Sequence, residues 1–475
     1  MAYRYGDRKQ IEMFPPCLED YVPKGASVRA YDALIEVMDL AAMGFRFNPS
    51  QVGNSSYDPR AMLKLLVYGY SYGVCSSRKL ERECHYNLSF LWLMGGLKPD
   101  HKTIAEFRRR NKSALQKVIQ QCARSCIKIG LIAGNVLFVD GTKMRANASI
   151  NHSWTKERAQ KALAQLDQRI RELLTECETV DQQEQQDGSW VRLNEEWADA
   201  QALKAKVKAV LADLQAEEKP SVNTTDPDCV RVHSRQGSHA GYNSQIVVDD
   251  ENGLIVNSDV VSASNDSGQF GTQITQANEV LEEPCKSGCG DAGFADYEDL
   301  ADLAEQMDVI VPSRRQAHKN PTEPGPFDKS RFTYAPDTDT YLCPNGHALV
   351  HRGYEKRGKR HYYTGGATCL SCEHFGSCTT DRVNGRKVTR SDYEVVREKL
   401  EERYKQPDAQ AIFRRRKEKV EHPFGHIKRN LHRGYFLLRG LAGVRAEMSL
   451  LACAFNVTRM ITLVGVTELV TQLAR

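Results

Sequence analysis

Three carboxylates stand in sequence contexts where metal-dependent phosphoryl chemistry could use them. Asp140 follows the apolar run Val136-Leu137-Phe138-Val139. Asp291 sits in the small-residue segment Gly288-Cys289-Gly290-Asp291-Ala292-Gly293, and Glu421 lies inside the most basic stretch of the chain. They are far apart along the chain, so only a fold can gather them. Two divalent ions held by such a set activate an attacking oxygen and stabilise the leaving one in an in-line displacement at phosphorus. Mg²⁺ suits the set, because it takes a few carboxylates plus water and phosphate oxygens. Each acid taken singly also reads as a strand-end or turn cap, and with 61 Asp+Glu in the chain spacing alone leaves both readings open.

The basic residues are concentrated. The 475 residues carry 65 Lys+Arg and a formal charge of +4, yet the window 401–440 alone holds +6 and leaves the remainder at −2. Arg414, Arg415, Arg416, Lys417 and Lys419 lie almost side by side, and Lys428, Arg429, Arg433 and Arg439 follow. Such a stripe neutralises phosphates and releases their counterions; the alternative is a solvated helix face. A second basic group, Arg108, Arg109 and Arg110, follows Asp100-His101-Lys102-Thr103-Ile104-Ala105-Glu106-Phe107. Thr103 and Glu106 have capping-box spacing and predict a helix start at Thr103. The arginines would lie on a DNA-contacting helix or on the surface of a packing domain.

Fourteen cysteines are present, four of them between Cys343 and Cys378. Cys343, Cys369, Cys372 and Cys378 are spaced C-x25-C-x2-C-x5-C, with His347, His361 and His374 nearby. The Cys369-x2-Cys372 pair is a zinc half-site that Cys343 and Cys378 could complete; the alternative is reduced, buried cysteines in a small β insertion. Met1 to Glu12 lacks the apolar run of a secretory signal, so a reducing, cytoplasmic location is expected. No uncharged apolar run long enough to cross a bilayer is expected. Met448 to Leu463, interrupted by Arg459, reads as a buried helix.

The elements that must position these residues follow from periodicity. Residues 15–130 read as helical. Val136–Val139 predict a buried strand ending at Asp140-Gly141. Leu163, Leu166, Ile170 and Leu173, then Leu193, Trp197, Ala200, Lys204, Val207, Leu211 and Leu214, recur at three- and four-residue steps on either side of a polar turn at Gly188, with Lys204 the one polar exception. They predict an antiparallel helical hairpin. Ser244–Val248 and Leu254–Val261 predict a β-hairpin across Asp249–Gly253. A helix over 271–281, another over 297–307 and a strand over 308–312 come next, and helix returns from Val388 on. Pro423 and Gly425 resist a helix interior beside Glu421. The sum is a mixed α/β core carrying two insertions.

With these residues in hand, nearly the whole chain resembles bacterial insertion-sequence transposases of the DDE type. Tyr57-Asp58-Pro59-Arg60 and Asp100–Arg108 are similar to that family's helical N-terminal domain. Phe138-Val139-Asp140-Gly141-Thr142-Lys143 resembles its first acidic motif. Gly241-Tyr242-Asn243-Ser244-Gln245 and Ser264-Asn265-Asp266 resemble its central strands and the turn after them. Gly290-Asp291-Ala292-Gly293-Phe294 resembles the second acidic motif, Val420–Lys428 the third, and Gly434–Gly440 the tail after it. Phe413 stands where the family usually carries tyrosine.

The resemblance implies a ribonuclease H-like mixed-sheet core (131–153, 220–315 and 388–475) and a helical DNA-binding domain at 1–130. It also implies a helical-hairpin insertion at 154–219 and a Cys-rich, zinc-candidate insertion at 316–387. By the same resemblance Asp140, Asp291 and Glu421 would bind two Mg²⁺, with Mn²⁺ as substitute. Arg108, Arg109, Arg414, Arg415, Arg416, Lys419, Lys428 and Arg429 would contact double-stranded DNA. The expected reaction is cleavage at transposon ends followed by 3′-hydroxyl transfer to target DNA, by a homodimer associated with the bacterial nucleoid when bound to DNA. The alternatives are an inactive DNA-binding protein of the same fold and a coiled-coil or zinc-ribbon scaffold; the scaffold leaves the basic stripe unexplained.

Overall fold

The structure is a computed structural model that describes residues 17–46, 57–182, 189–216, 221–234, 237–317, 325–356, 358–431 and 434–475, with backbone alone over 174–182 and 189–197. The predicted turn at Gly188, the side chains of Leu193 and Trp197, and Arg433 lie outside these described residues. The chain divides into two compact units: 1–266 with 275–283 and 418–475, and 267–274 with 284–417.

The first unit is organised around the helix Leu441–Val464. Its length and apolar composition would suit a membrane span, but nearly every residue from Gly443 to Val457 is buried inside the fold. It packs against the helices Pro59–Ser71, Lys112–Leu115 and Val118–Lys128 and against the strand Ile255–Val261. Asn456 explains why a polar residue sits in such a helix. Its amide donates to Ile255 O at 2.8 Å and accepts from Ile255 N at 2.9 Å, satisfying a buried strand edge. The Pro59–Ser71 helix starts where proline is best tolerated, with Asp58 accepting from Arg60 N.

The strands of this unit are antiparallel. Val136–Arg145 pairs with Gly237–Asp249, which also pairs with Ile255–Val261 as the predicted hairpin and with Val230–Ser234. Val230–Ser234 was not expected from periodicity. The first strand does not end at Asp140. It runs on to Arg145, because Gly141–Arg145 keep their partners Gln245–Gly241. The two predicted insertion helices are present as Lys156–Gln182 and Ser189–Ala216, with Lys204 reaching Asp167 at 2.5 Å.

The helix near residue 100 begins at His101, earlier than the Thr103 signal. Its cap is Asp100, whose carboxylate accepts from Thr103 N at 2.6 Å. Glu106 instead pairs with Arg109 and Arg110. The helix Pro407–His426 passes through Pro423, then continues as a π-helical turn, Ile427–Leu431. Val420, Phe424, Ile427 and Leu431 are all buried at three- and four-residue spacing, and that apolar stripe carries the helix past the lost hydrogen bond.

In the second unit Ser287–Cys289 and Asp308–Ile310 form a parallel pair. The predicted 297–307 helix is two short ones, Tyr297–Ala301 and Leu303–Gln306. The helix Glu394–Lys405 is tied to the parallel pair by a bidentate Arg403–Asp308 contact at 2.6 and 2.7 Å. The cysteine-rich segment folds as a five-stranded antiparallel sheet in the order Lys387–Ser391, Arg360–Thr364, Ala348–Glu355, Thr340–Leu342, Thr333–Ala335. The return to helix after 388 is therefore preceded by a strand. Along the chain, the four antiparallel strands of the first unit's sheet, the helix Phe270–Leu281 and a parallel strand pair separated by helices make a mixed α/β fold. That is the element order of a ribonuclease H-like core with a helical N-terminal region.

Candidate active site

Asp140 lies mid-strand, half-buried, with Leu137, Phe138 and Val139 fully buried before it. Alternation puts Asp140 and Thr142 on one face and Gly141 and Lys143 on the other. On the first face Lys428 Nζ donates to Thr142 Oγ1. Burial lowers the Lys428 ammonium below the usual lysine range, Asp140 opposes that shift, and Lys143 adds to it. Ser244, across from Thr142, is buried, and its hydroxyl has no hydrogen-bond partner among the described residues. The strand's end is held by the tail: Arg145 N donates to Gly434 O at 3.0 Å and Phe436 N to Arg145 O at 2.9 Å.

The opposite face carries a cluster that sequence reasoning quoted but did not place in the site. Asp266 accepts from Asn243 Nδ2 at 2.7 Å and Gln245 Nε2 at 2.8 Å, and pairs with Lys143 at 3.3 Å. Gly141 is required beneath it, since a Cβ there would stand 2.2 Å from Asp266 Oδ1. Its signal was legible: Asn243 and Gln245 alternate as amides just before the apolar run Ile246-Val247-Val248.

The tail after the third motif is positioned by two buried acids, Glu447 and Asp226, and by the half-buried Asp228. Glu447, fully buried, accepts from Leu437 N at 3.1 and 3.0 Å and from Leu438 N at 2.9 Å. Asp226 accepts from Tyr242 Oη at 2.7 Å and Gly440 N at 3.1 Å, and Asp228 accepts from Leu441 N at 2.7 Å. These acids satisfy amides at the start of the central helix.

Glu421 is exposed on its helix, and Lys419 donates to Glu251 O at 3.1 Å. Asp291, in the second unit, accepts from Gly293 N at 2.7 Å and has Arg416 Nη2 at 3.9 Å. Arg416 also stands over the Phe413 ring at 5.6 Å. Asp140 and Glu421 thus belong to the first unit and Asp291 to the second. Among the described residues, no three His, Cys, Asp or Glu side chains are gathered tightly enough to hold a metal ion as they stand. The donor chemistry of the three carboxylates nevertheless fits a hard divalent cation.

The candidate DNA-contacting residues divide by exposure. Arg109, Arg414, Arg415 and Arg429 are exposed, and Arg416, Lys419 and Lys428 are half-buried. Arg108 is a correction: it is buried, donating to Cys75 O at 2.7 Å and Tyr70 Oη at 3.4 Å. Its neighbours Arg109 and Arg110 face outward, because only one face of a short amphipathic helix can meet the core. Arg108→Ala is therefore expected to lower stability by about 1–3 kcal/mol in urea denaturation, with DNA affinity of the folded variant unchanged. A loss of affinity without a loss of stability would reverse that assignment.

In the second unit Cys343, Cys369, Cys372 and Cys378 are free, half-buried thiols lining one small cavity with His347 and His374. Burial raises the Cys378 thiol above its ordinary range, with Arg386 opposing and the other three thiols adding to the rise. The third nearby histidine, His361, pairs instead with Asp392 at 3.2 Å.

Known families match both ends of the chain. Residues 16–110 match the family model described as Transposase domain (DUF772), and residues 342–461 match the Transposase DDE domain. The second match contains Glu421, the basic stripe and the cysteine cluster; Asp140 and Asp291 lie between the two matches. Among solved structures the chain is similar to a piggyBac transposase synaptic complex with hairpin DNA, at 10% identity and TM-score 0.34, covering 94% of this chain and 79% of that one. No curated protein matches. The chain thus carries a match to a transposase domain at one end and a match to a transposase DDE domain toward the other.

Proposed function

We propose that the protein binds the ends of a mobile DNA element, cleaves a phosphodiester there and joins the freed 3′-hydroxyl to target DNA. Asp140, Asp291 and Glu421 are the metal-binding carboxylates in this reading. The observation that carries it is the Lys428–Thr142 hydrogen bond. It ties the segment that follows Glu421 to the face of the strand that bears Asp140, two motifs nearly three hundred residues apart in the chain. Two Mg²⁺ ions, when bound, supply charge stabilisation for the attacking and leaving oxygens. In the first step water attacks phosphorus and the P–O3′ bond breaks, leaving a 3′-hydroxyl and a 5′-phosphate. In the second, that hydroxyl attacks a target phosphodiester and displaces another 3′-oxygen.

The chain's own residues supply the rest. Lys428 presents a cation beside Asp140, offsetting negative charge where a phosphate would approach. Arg414, Arg415 and Arg429 offer exposed cations along the duplex backbone. Joining two ends calls for two copies of the chain, and the reading places it at the bacterial nucleoid.

Nicking of a supercoiled plasmid carrying the element's ends, with Mg²⁺ or Mn²⁺, tests the proposal. Salt-sensitive binding without any cleavage would favour the inactive DNA-binding alternative. The basic stripe has its own test: replacing Arg414 and Arg415 together by alanine is expected to lower the slope of log affinity against log salt by about 1–2. An unchanged slope would remove these residues from the interface.

A further inference from the structure

We propose that Cys343, Cys369, Cys372 and Cys378 bind one zinc ion as a structural four-thiolate site that closes the small sheet of the second unit. The four line a cavity of about 30 Å³, room for a single ion, and none is in a disulfide. The surrounding backbone is already turned toward sulphur. At one end the chain reverses through Gly346, whose φ is +76°, and returns His347 N to Cys343 Sγ at 3.3 Å. At the other, Arg386 N points at Cys369 Sγ at 3.4 Å, and Asn345 Nδ2 lies 3.7 Å from Cys372 Sγ. Such donors complement the negative charge that zinc-bound sulphur carries.

Two glycines clear space around Cys369. A Cβ at Gly365 would stand 2.2 Å from its sulphur, and one at Gly385 would stand 2.9 Å from it.

Zinc binding breaks four S–H bonds, forms four Zn–S bonds and releases the protons to solvent, leaving the site with two negative charges. A counter-charge is in place. Arg386 is held by bonds to Phe327 O at 2.9 Å and Cys378 O at 3.3 Å, and its buried Nε has no acceptor among the described residues. The sheet also needs such a staple. Among the described residues its core is Phe332, Tyr341, Leu349, Tyr363 and Val388, with Tyr334, Cys343 and Cys378 packed against it. So small a core supplies little stability without a metal or disulfide. As placed, the thiols line the cavity without converging, and the ion supplies the convergence.

The experiment is elemental analysis of the full-length chain after reconstitution with Zn²⁺ under reducing conditions. About one zinc per chain is expected, falling to background in Cys369→Ser/Cys372→Ser and unchanged in Cys285→Ser. Absence of zinc from the wild type, or full retention by the double variant, overturns the site. Because the double variant could misfold, Co²⁺ titration of the metal-free wild-type chain gives a second readout. Intense sulphur-to-cobalt charge transfer with a four-thiolate visible spectrum supports the assignment. A three-thiolate, one-imidazole spectrum overturns the ligand set in favour of His347 or His374, and visible absorbance from bound iron overturns zinc itself. None of these outcomes depends on DNA cleavage, so the site and the proposed transposase activity can fail separately.

Discussion

Asp140→Ala is expected to lower plasmid cleavage by about 10³-fold or more while leaving DNA binding intact. The separation of the two effects follows from position. Asp140 is half-buried, so its truncation opens no core cavity comparable with loss of the adjacent Phe138. It also lies near Lys428, and removing a negative charge beside a lysine favours phosphate binding. Affinity should therefore be equal or slightly higher than in the wild type. Asp140→Asn should behave alike, since it keeps the shape but loses the anionic oxygen that a divalent cation needs. The measurement is divalent-dependent nicking alongside a binding isotherm at fixed salt. Wild-type nicking by the variant would remove Asp140 from the chemistry. Loss of binding together with cleavage would make the residue structural.

The second large effect concerns stability. Glu447→Ala is expected to cost about 3–5 kcal/mol, because it strips acceptors from two backbone amides and leaves a void in the central helix. Both carboxylate oxygens are used: Leu437 N and Leu438 N donate to them from the tail that holds the end of the Asp140 strand. Glu447→Gln keeps one carbonyl acceptor and should fall between the two. Urea denaturation of the full chain measures the order. A loss below about 1 kcal/mol in the alanine variant would show that the tail does not depend on this carboxylate. The strand carrying Asp140 is anchored through this tail, so Glu447→Gln is also expected to slow cleavage more than it weakens DNA binding.

Much of the architecture was legible one residue type at a time. The β-hairpin at Ser244–Val261 followed from alternation around a turn, the paired insertion helices from apolar steps of three and four, and the buried helix over Met448–Leu463 from its composition. Those patterns are local, and local periodicity reports which face is buried. The three candidate acids, the basic stripe and the cysteine cluster were likewise legible, because side-chain chemistry is written in the residue types.

What the tertiary structure decided were matters of partnership. Asp140 is mid-strand and not at a strand end, because Gln245–Gly241 continue to pair beyond it. Thr103 sits two residues inside its helix, because Asp100 lies nearer the free amides. Pro423 does not end the Glu421 helix, because the stripe Val420, Phe424, Ile427 and Leu431 finds a core to meet. Arg108 and Arg109 are neighbours of equal charge, yet one is an internal strut and the other a surface cation. Which of two adjacent residues faces inward depends on what packs against the helix. Residue type and spacing thus determined the chemistry available to this protein. The long-range partners, Asp266 beside Lys143 and Lys428 beside Thr142, were decided only when distant segments came together, because such contacts carry no short-range signal.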